Sequence, residues 1–225
     1  MRDCAPSTYP VYVVFSATQY RTGRLIRRLL GTTYNHVSLS FDPSLQCMYS
    51  FARRYVNAPL LGGFVKESFR RFLYRKRYAS IKVCRLELTE EQYRRLQVHI
   101  RMMSQHPDHY IYNLYSAFLN PLKRRVHIKG CYTCVEFVAD ALAFSGVESF
   151  RVGEFHSLDD MEARCSAHEV VYCGSAEHYP ASCRWGEDKF RCRLDKPRIL
   201  RETAKGIADL TTRAFSSISD ALHKK

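Results

Sequence analysis

Between residues 11 and 51 the hydrophobic pattern changes from an unbroken apolar run to strict alternation, and this change restricts the fold more than any other stretch of the chain. Val11-Tyr-Val-Val-Phe15 is β-branched and aromatic throughout, which reads as a buried strand. His36-Val-Ser-Leu-Ser-Phe41 then alternates, Asp42-Pro43-Ser44 signals a turn, and Cys47-Met-Tyr-Ser-Phe51 resumes strand character, so a β-hairpin is expected. With a side-chain period of two, His36, Ser38 and Ser40 share one face. A polar face beside so apolar a strand marks this hairpin for attention.

Helices alternate with these strands. Residues 22–30 have helical apolar spacing with Gly31 as a stop. After a break at Gly62-Gly63, residues 78–88 read as another strand, and Thr89-Glu-Glu-Gln92 is a capping-box pattern that opens a helix running to about Ser104. Residues 113–119 form a short helix and residues 126–128 a brief strand. Thr133-Cys-Val-Glu-Phe-Val-Ala-Asp-Ala-Leu-Ala-Phe144 is a helix with Phe137, Ala141 and Phe144 on one face and Gly146 just past its end. A helix over 158–165 and a strand over 169–173 close the domain. Hairpins mixed with helices give an α+β fold rather than a doubly wound sheet.

At 225 residues the size prior favours one domain with additions. We place that domain at 1–180, a linker at 181–195 and a helical tail at 196–225. In the tail, apolar residues recur at Leu200, Ala204, Ile207, Thr211, Ala214, Ile218 and Leu222, with Arg201, Lys205 and Arg213 on the polar side. Such a stripe suits docking on the domain, on a sister subunit or on an anionic membrane.

Lys and Arg outnumber Asp and Glu by 35 to 22, for a net charge of +13, which favours polyanionic partners in general. The arginines fall in short scattered clusters with no nucleic-acid motif around them, so no specific nucleic acid is expected. The first residues lack a signal-peptide layout and no apolar run reaches spanning length, so the expected location is the cytoplasm, peripheral to the membrane if the tail binds lipid. Nine cysteines, an odd number, argue against a complete internal disulfide framework.

The chemistry converges on one thiol and one imidazole. Cys134 falls in the first turn of its helix, where unpaired backbone N–H groups and the macrodipole favour a thiolate. A nucleophilic thiol needs an imidazole within hydrogen-bond reach, and His36, flanked on its face by small serines, is the best placed of the nine histidines. Ser50, on the adjoining strand of the same hairpin, is the expected orienter of the imidazole, with Glu67 as a second candidate. The N–H of Cys134 would serve as an oxyanion donor, and Tyr112 or Tyr132 would line the cleft. Taken singly, each residue reads as readily as core: free cysteines are among the most buried residues, and a satisfied core histidine is common.

The order strand, helix, Asn35-His36-Val-Ser-Leu on a hairpin, and much later Cys134-Val-Glu-Phe-Val at a helix start resembles the circularly permuted papain-like clan. Its members include NlpC-type amidases and peptidases, YiiX-like bacterial proteins and lecithin:retinol acyltransferases. The stretches Met48-Tyr-Ser-Phe-Ala-Arg53 and Gly62-Gly-Phe-Val65 resemble a bacterial, Firmicutes-type branch. The resemblance covers roughly residues 9–180 and leaves out the tail. It implies an antiparallel sheet packed on the helix that bears the cysteine, and a cysteine hydrolase or acyltransferase working on an amide or ester through a thioester. His36 and Cys134 match the clan's histidine and cysteine. Ser50 falls where several relatives carry Glu or His, and a serine brings no charge to stabilise an imidazolium.

The implied substrate is a peptide-like or lipid-like acyl group, with no cofactor and no metal. Cys131 and Cys134 form a C-x-x-C, but a zinc site wants a second ligand pair, and Cys183 and Cys192 are separated by eight residues with no histidine partner nearby. The alternative from another class is a binding or scaffold protein that keeps the fold, uses its basic surface and carries a catalytically weak or inactive site.

Overall fold

The computed structural model describes residues 7–223 apart from positions 19, 21–22, 25–26, 29–30, 75–76, 155, 181–189 and 191. Its centre is an eight-stranded sheet built from β1 (Thr8–Ala17), β2 (His36–Ser40), β3 (Met48–Tyr55), β4 (Ala58–Glu67), β7 (Ser80–Thr89), β8 (Ile111–Tyr112), β9 (Cys131–Tyr132) and β10 (Glu169–Ser175). The strand order is β10-β7-β1-β2-β3-β4-β8-β9, antiparallel except for the parallel β8–β9 pair. A separate two-stranded ribbon joins β5 (Leu73–Tyr74) to β6 (Arg77–Tyr78). The helices are α1 (Glu90–Gln105), α2 (Leu114–Leu119), α3 (Cys134–Ser145), α4 (Leu158–Ser166) and α5 (Lys196–His223).

Burial on both faces explains the unbroken apolar run of β1. Val11, Val13 and Phe15 enter a core shared with α1, α3 and α4, while Tyr12 and Val14 enter a second core on the opposite face with Met48, Phe69, Phe72, Ile81 and Val83. The first core takes Leu96 and Ile100 from α1, Phe137, Val138 and Leu142 from α3, and Met161 and Cys165 from α4. Truncating a fully buried aromatic such as Phe137 would cost about 3–5 kcal/mol. Both long helices of this layer start in capping boxes, Thr89 with Gln92 for α1 and Thr133 with Glu136 for α3, each cap contributing about 1 kcal/mol.

The sheet is split in its middle. β2 stays registered on β1 from Tyr12–Ser40 to Ser16–His36, whereas it pairs with β3 only through Leu39–Tyr49 and Ser40–Met48. β3 in turn remains on β4 along most of its length. The His36 end of β2 therefore leaves β3, and α3 packs over both strands there.

Two expectations are corrected, and a third can be followed only in part. The Gly62-Gly63 break lies inside β4: a Cβ on Gly63 would sit 2.3 Å from the Tyr110 carbonyl oxygen, and one on Gly62 2.8 Å from Tyr112 Cβ, so the glycines admit β8 at close range. Residues 126–128 form no strand; Ile128 makes an isolated bridge to Cys131. The expected helix at 22–30 is helical at positions 23, 24, 27 and 28, and the rest of it lies outside the described residues, as do Cys4, Cys183 and most of the linker at 181–195. The seven described cysteines are free thiols.

The tail is a helix, as its periodicity indicates, and it does lie on the domain. The face it uses overlaps the stripe only in part, at Thr211 and Ala214. Leu210 is buried against Ile128 and Cys131 with Ala214 beside it, Arg213 Nη1 donates to the His109 carbonyl at 2.7 Å, and Tyr115 hydroxyl meets Thr211 Oγ1 at 3.0 Å. Leu200, Ala204 and Ile207 remain exposed.

Candidate active site

Cys134 is the first residue of α3, directly after the capping Thr133. The cap consumes two of the helix's orphan donors: Glu136 N–H donates to Thr133 Oγ1 at 3.2 Å, and Thr133 N–H donates to Glu136 Oε2 at 2.7 Å. Arg125 braces this turn through Asp140, with Nη2–Oδ2 at 2.6 Å and Nη1–Oδ1 at 3.2 Å, while its Nε lies 3.4 Å from Glu136 Oε1. The Cys134 side chain is buried, and its thiol lies close enough to His36 to help raise that imidazole.

His36 opens β2 at the point where that strand departs from β3. Its Nε2 lies 3.0 and 3.1 Å from the two oxygens of Glu67, and Ser38 Oγ lies 3.2 Å from the same nitrogen. With Nε2 so engaged, Nδ1 is the ring nitrogen left uncommitted to the Glu67 and Ser38 bonds. Ser38 Oγ also donates to Glu67 Oε2 at 2.7 Å. The carboxylate, 1% exposed at the end of β4, accepts further from Arg71 Nη1 at 3.1 Å. Arg71 is itself buried; the same Nη1 donates to the Arg53 carbonyl at 3.1 Å, and the guanidinium lies 4.5 Å from the centre of the Phe190 ring.

Burial alone would push the His36 imidazole down, but the charge and hydrogen bonds of Glu67 and the nearby Cys134 thiol outweigh it and lift the group to about 10. Burial would likewise raise Glu67, and the charges of His36 and Arg71 hold its carboxyl well below the ordinary carboxylate range. The pair is therefore an imidazolium and a carboxylate at neutral pH. Half-buried Tyr112 stands close enough to Cys134 that its hydroxyl is pushed up by burial and further by the cysteine, so it remains a neutral donor. Tyr132 packs on Phe51, with ring centres 5.2 Å apart, against the same cluster that holds Cys134.

Two of the three expected side chains, His36 and Cys134, are thus brought together, and Ser50 is not part of the hydrogen-bonded set. Ser50 is fully buried on β3, and its hydroxyl has no hydrogen-bond partner among the described residues. The side chain that holds the His36 ring is Glu67. Reading the double glycine as a turn hid the end of β4. Treated as strand, Phe64-Val-Lys-Glu67 alternates, and Glu67 falls on the face of Ser50. Ser38 was placed on the His36 face but given no role, and Arg71 was given none; a basic residue four positions after Glu67 was the available signal.

Cys131 and Cys134 point into different clusters, Cys131 toward Leu210 of the tail and Cys134 toward the sheet. Burial pushes the Cys131 thiol up to about 11, so it is protonated at neutral pH.

Comparison with family models, with curated proteins and with solved structures finds no match for this chain.

Proposed function

We propose that this chain is a cysteine hydrolase or acyltransferase of the permuted papain-like kind, with Cys134 as nucleophile, His36 as acid and base, and Glu67 as the group that orients and charges the imidazole. The observation that carries this reading is the His36 ring, held by a fully buried carboxylate and close enough to Cys134 for that thiol to raise the imidazole. A histidine kept only for packing has no need of a charged partner that is costly to bury.

In the proposed reaction the proton of the thiol rests on His36, and the sulfur bonds to the carbonyl carbon of an amide or ester. Negative charge collects on the carbonyl oxygen, within reach of the unpaired N–H of Cys134 at the helix start and the Tyr112 hydroxyl. The imidazolium gives its proton to the leaving nitrogen or oxygen as that bond breaks, leaving a thioester. Water or an acceptor amine or alcohol then loses a proton to His36 and attacks, releasing acid or a transferred acyl product. Glu67 stays ionised throughout and keeps the ring in register.

The test uses a chloroacetamide probe near neutral pH, followed by mass analysis of the labelled peptide. Cys134 is expected to label faster than Cys192, which is exposed, and His36→Ala is expected to remove that advantage. Labelling of Cys134 at the rate of a free thiol would favour a binding protein with an inert site. Mass analysis of adducts trapped from a cell extract would report the acyl group.

A further inference from the structure

Leu200, Ala204, Ile207, Thr211 and Phe215 recur at three- and four-residue spacing along one side of α5, and Leu200, Ile207 and Phe215 are 74%, 45% and 70% exposed. Among the described residues the helix meets the domain through Leu210, Arg213 and Ala214, and through Thr211 at the edge of the exposed stripe. A second apolar surface adjoins this one. Thr211 touches Tyr115 of α2, and from the same side of α2 and the turn after it Phe118 and Leu122 project at 76% and 66% exposure. The Tyr115–Thr211 contact thus brings a second set of exposed apolar side chains beside the exposed stripe of α5.

The rim of this surface is cationic. Lys123 and Arg124 follow Leu122, and Arg198, Arg201 and Lys205 line the outer edge of α5, all exposed. Of the helix's acidic residues, Glu202 pairs with Arg201 of this rim, Asp209 pairs with Arg213, and Asp220 lines a cavity beside Arg213. Among the described residues no carboxylate pairs with Lys123, Arg124, Arg198 or Lys205. No helix among the described residues is long and apolar enough to cross a membrane.

We propose that the outer face of α5, together with Phe118 and Leu122, is a docking surface for an anionic lipid bilayer, with the helix lying in the plane of the headgroups. An apolar centre enters the acyl boundary while a cationic rim meets lipid phosphates, the two contributions that interfacial helices combine. Charge decides against a second copy of this chain as the occupant, because a self-complementary contact would bring two cationic rims together. The proposal stands independently of the reading of Cys134 and His36.

The full chain is tested by co-sedimentation with sucrose-loaded vesicles of phosphatidylcholine alone and with about one third phosphatidylglycerol. Binding is expected to be at least about tenfold stronger on the anionic vesicles and to fall as salt rises from about 0.1 to 0.5 M. Phe118→Asp combined with Phe215→Asp is expected to weaken binding about tenfold or more, and Arg198→Glu with Lys205→Glu to abolish the preference for anionic lipid. Ile207→Ser serves as a milder variant, and unchanged thermal midpoints show that the variants fold. No enrichment on anionic vesicles, or enrichment that the Phe118/Phe215 pair leaves intact, overturns the proposal. So does a dimer in sedimentation velocity that Phe215→Asp dissolves while vesicles bind nothing.

Discussion

The Glu67 carboxylate crosses the intervening strand β3 to hold His36 on β2, with its two oxygens 3.0 and 3.1 Å from Nε2. Strand register explains the reach. Ser40 pairs with Met48 and Met48 with Glu67, so His36, Ser38, Ser50 and Glu67 all face the same side. Ser50 occupies β3 between Glu67 and His36. Its small side chain leaves the path clear, and Ser38 closes the bridge by donating to Glu67.

Glu67→Gln removes the charge that raises His36 and retains the side-chain volume. The imidazole then loses its largest source of positive bias and titrates lower, since burial now acts with less opposition. The rate of Cys134 alkylation is expected to fall at least about tenfold at neutral pH, and the upper limb of its pH profile to move to lower pH. A profile identical to that of the parent chain would remove Glu67 from the site.

Substitutions at Ser50 separate a triad member from a spacer. Ser50→Ala removes a hydroxyl that has no partner and is expected to change stability by less than about 0.5 kcal/mol, with Cys134 labelling unaltered. Ser50→Leu puts bulk into the path of Glu67 and is expected to cost about 1–3 kcal/mol and to depress labelling strongly. Loss of labelling in Ser50→Ala would restore the serine as orienter.

The parts of this arrangement that were legible in the sequence are those set by local periodicity. The run Val11–Phe15, the alternation from His36 and the capped helix carrying Cys134 each declare themselves within a dozen residues. What was illegible depends on distant packing. Gly62 and Gly63 carry the local signature of a turn, yet they sit in a strand because β8 passes within bonding distance of their backbone. β8 and β9 are two residues long and too short for any period to register. The orienting residue depends on which side chains can pass over Ser50, a property of three strands together. The tail shows the same division: its helix follows from spacing, while the face that docks is decided by where Leu210 finds Ile128 and Cys131.

Two glycine substitutions test this account of β4. Gly63→Ala forces a Cβ to within 2.3 Å of the Tyr110 carbonyl and 2.8 Å of Arg54 Nη2, so β8 must move. We expect a loss on the order of 2–4 kcal/mol in urea unfolding. Gly206→Ala in α5 meets nothing within 4 Å and is expected to add about 0.5–1 kcal/mol to helix stability. Equal effects at the two positions would mean that close approach is not what holds glycine at 63.

The pH dependence of folding follows from the same ion pair. His36 titrates near 10 in the folded chain against an ordinary value of 6.5, so between those values the folded state holds more protons than the unfolded one. Stability from this group is complete below 6.5 and is lost as the pH rises toward 10. Glu67 has the opposite sign: its carboxyl is depressed from an ordinary 4.5, so its contribution is present above that value and is lost as the pH falls through the folded-state range. The pair is therefore at full strength between about 4.5 and 6.5 and weakens on either side. His36 is 14% exposed on its side chain, so solvent screens little of the effect. Urea unfolding free energies are expected to drop by up to a few kcal/mol between about pH 6 and pH 10 in the parent chain. In His36→Gln most of that drop should vanish, because the proton that drives it has gone. A drop of the same size in the variant would place the titrating group elsewhere and would remove the imidazolium–carboxylate pair as its cause.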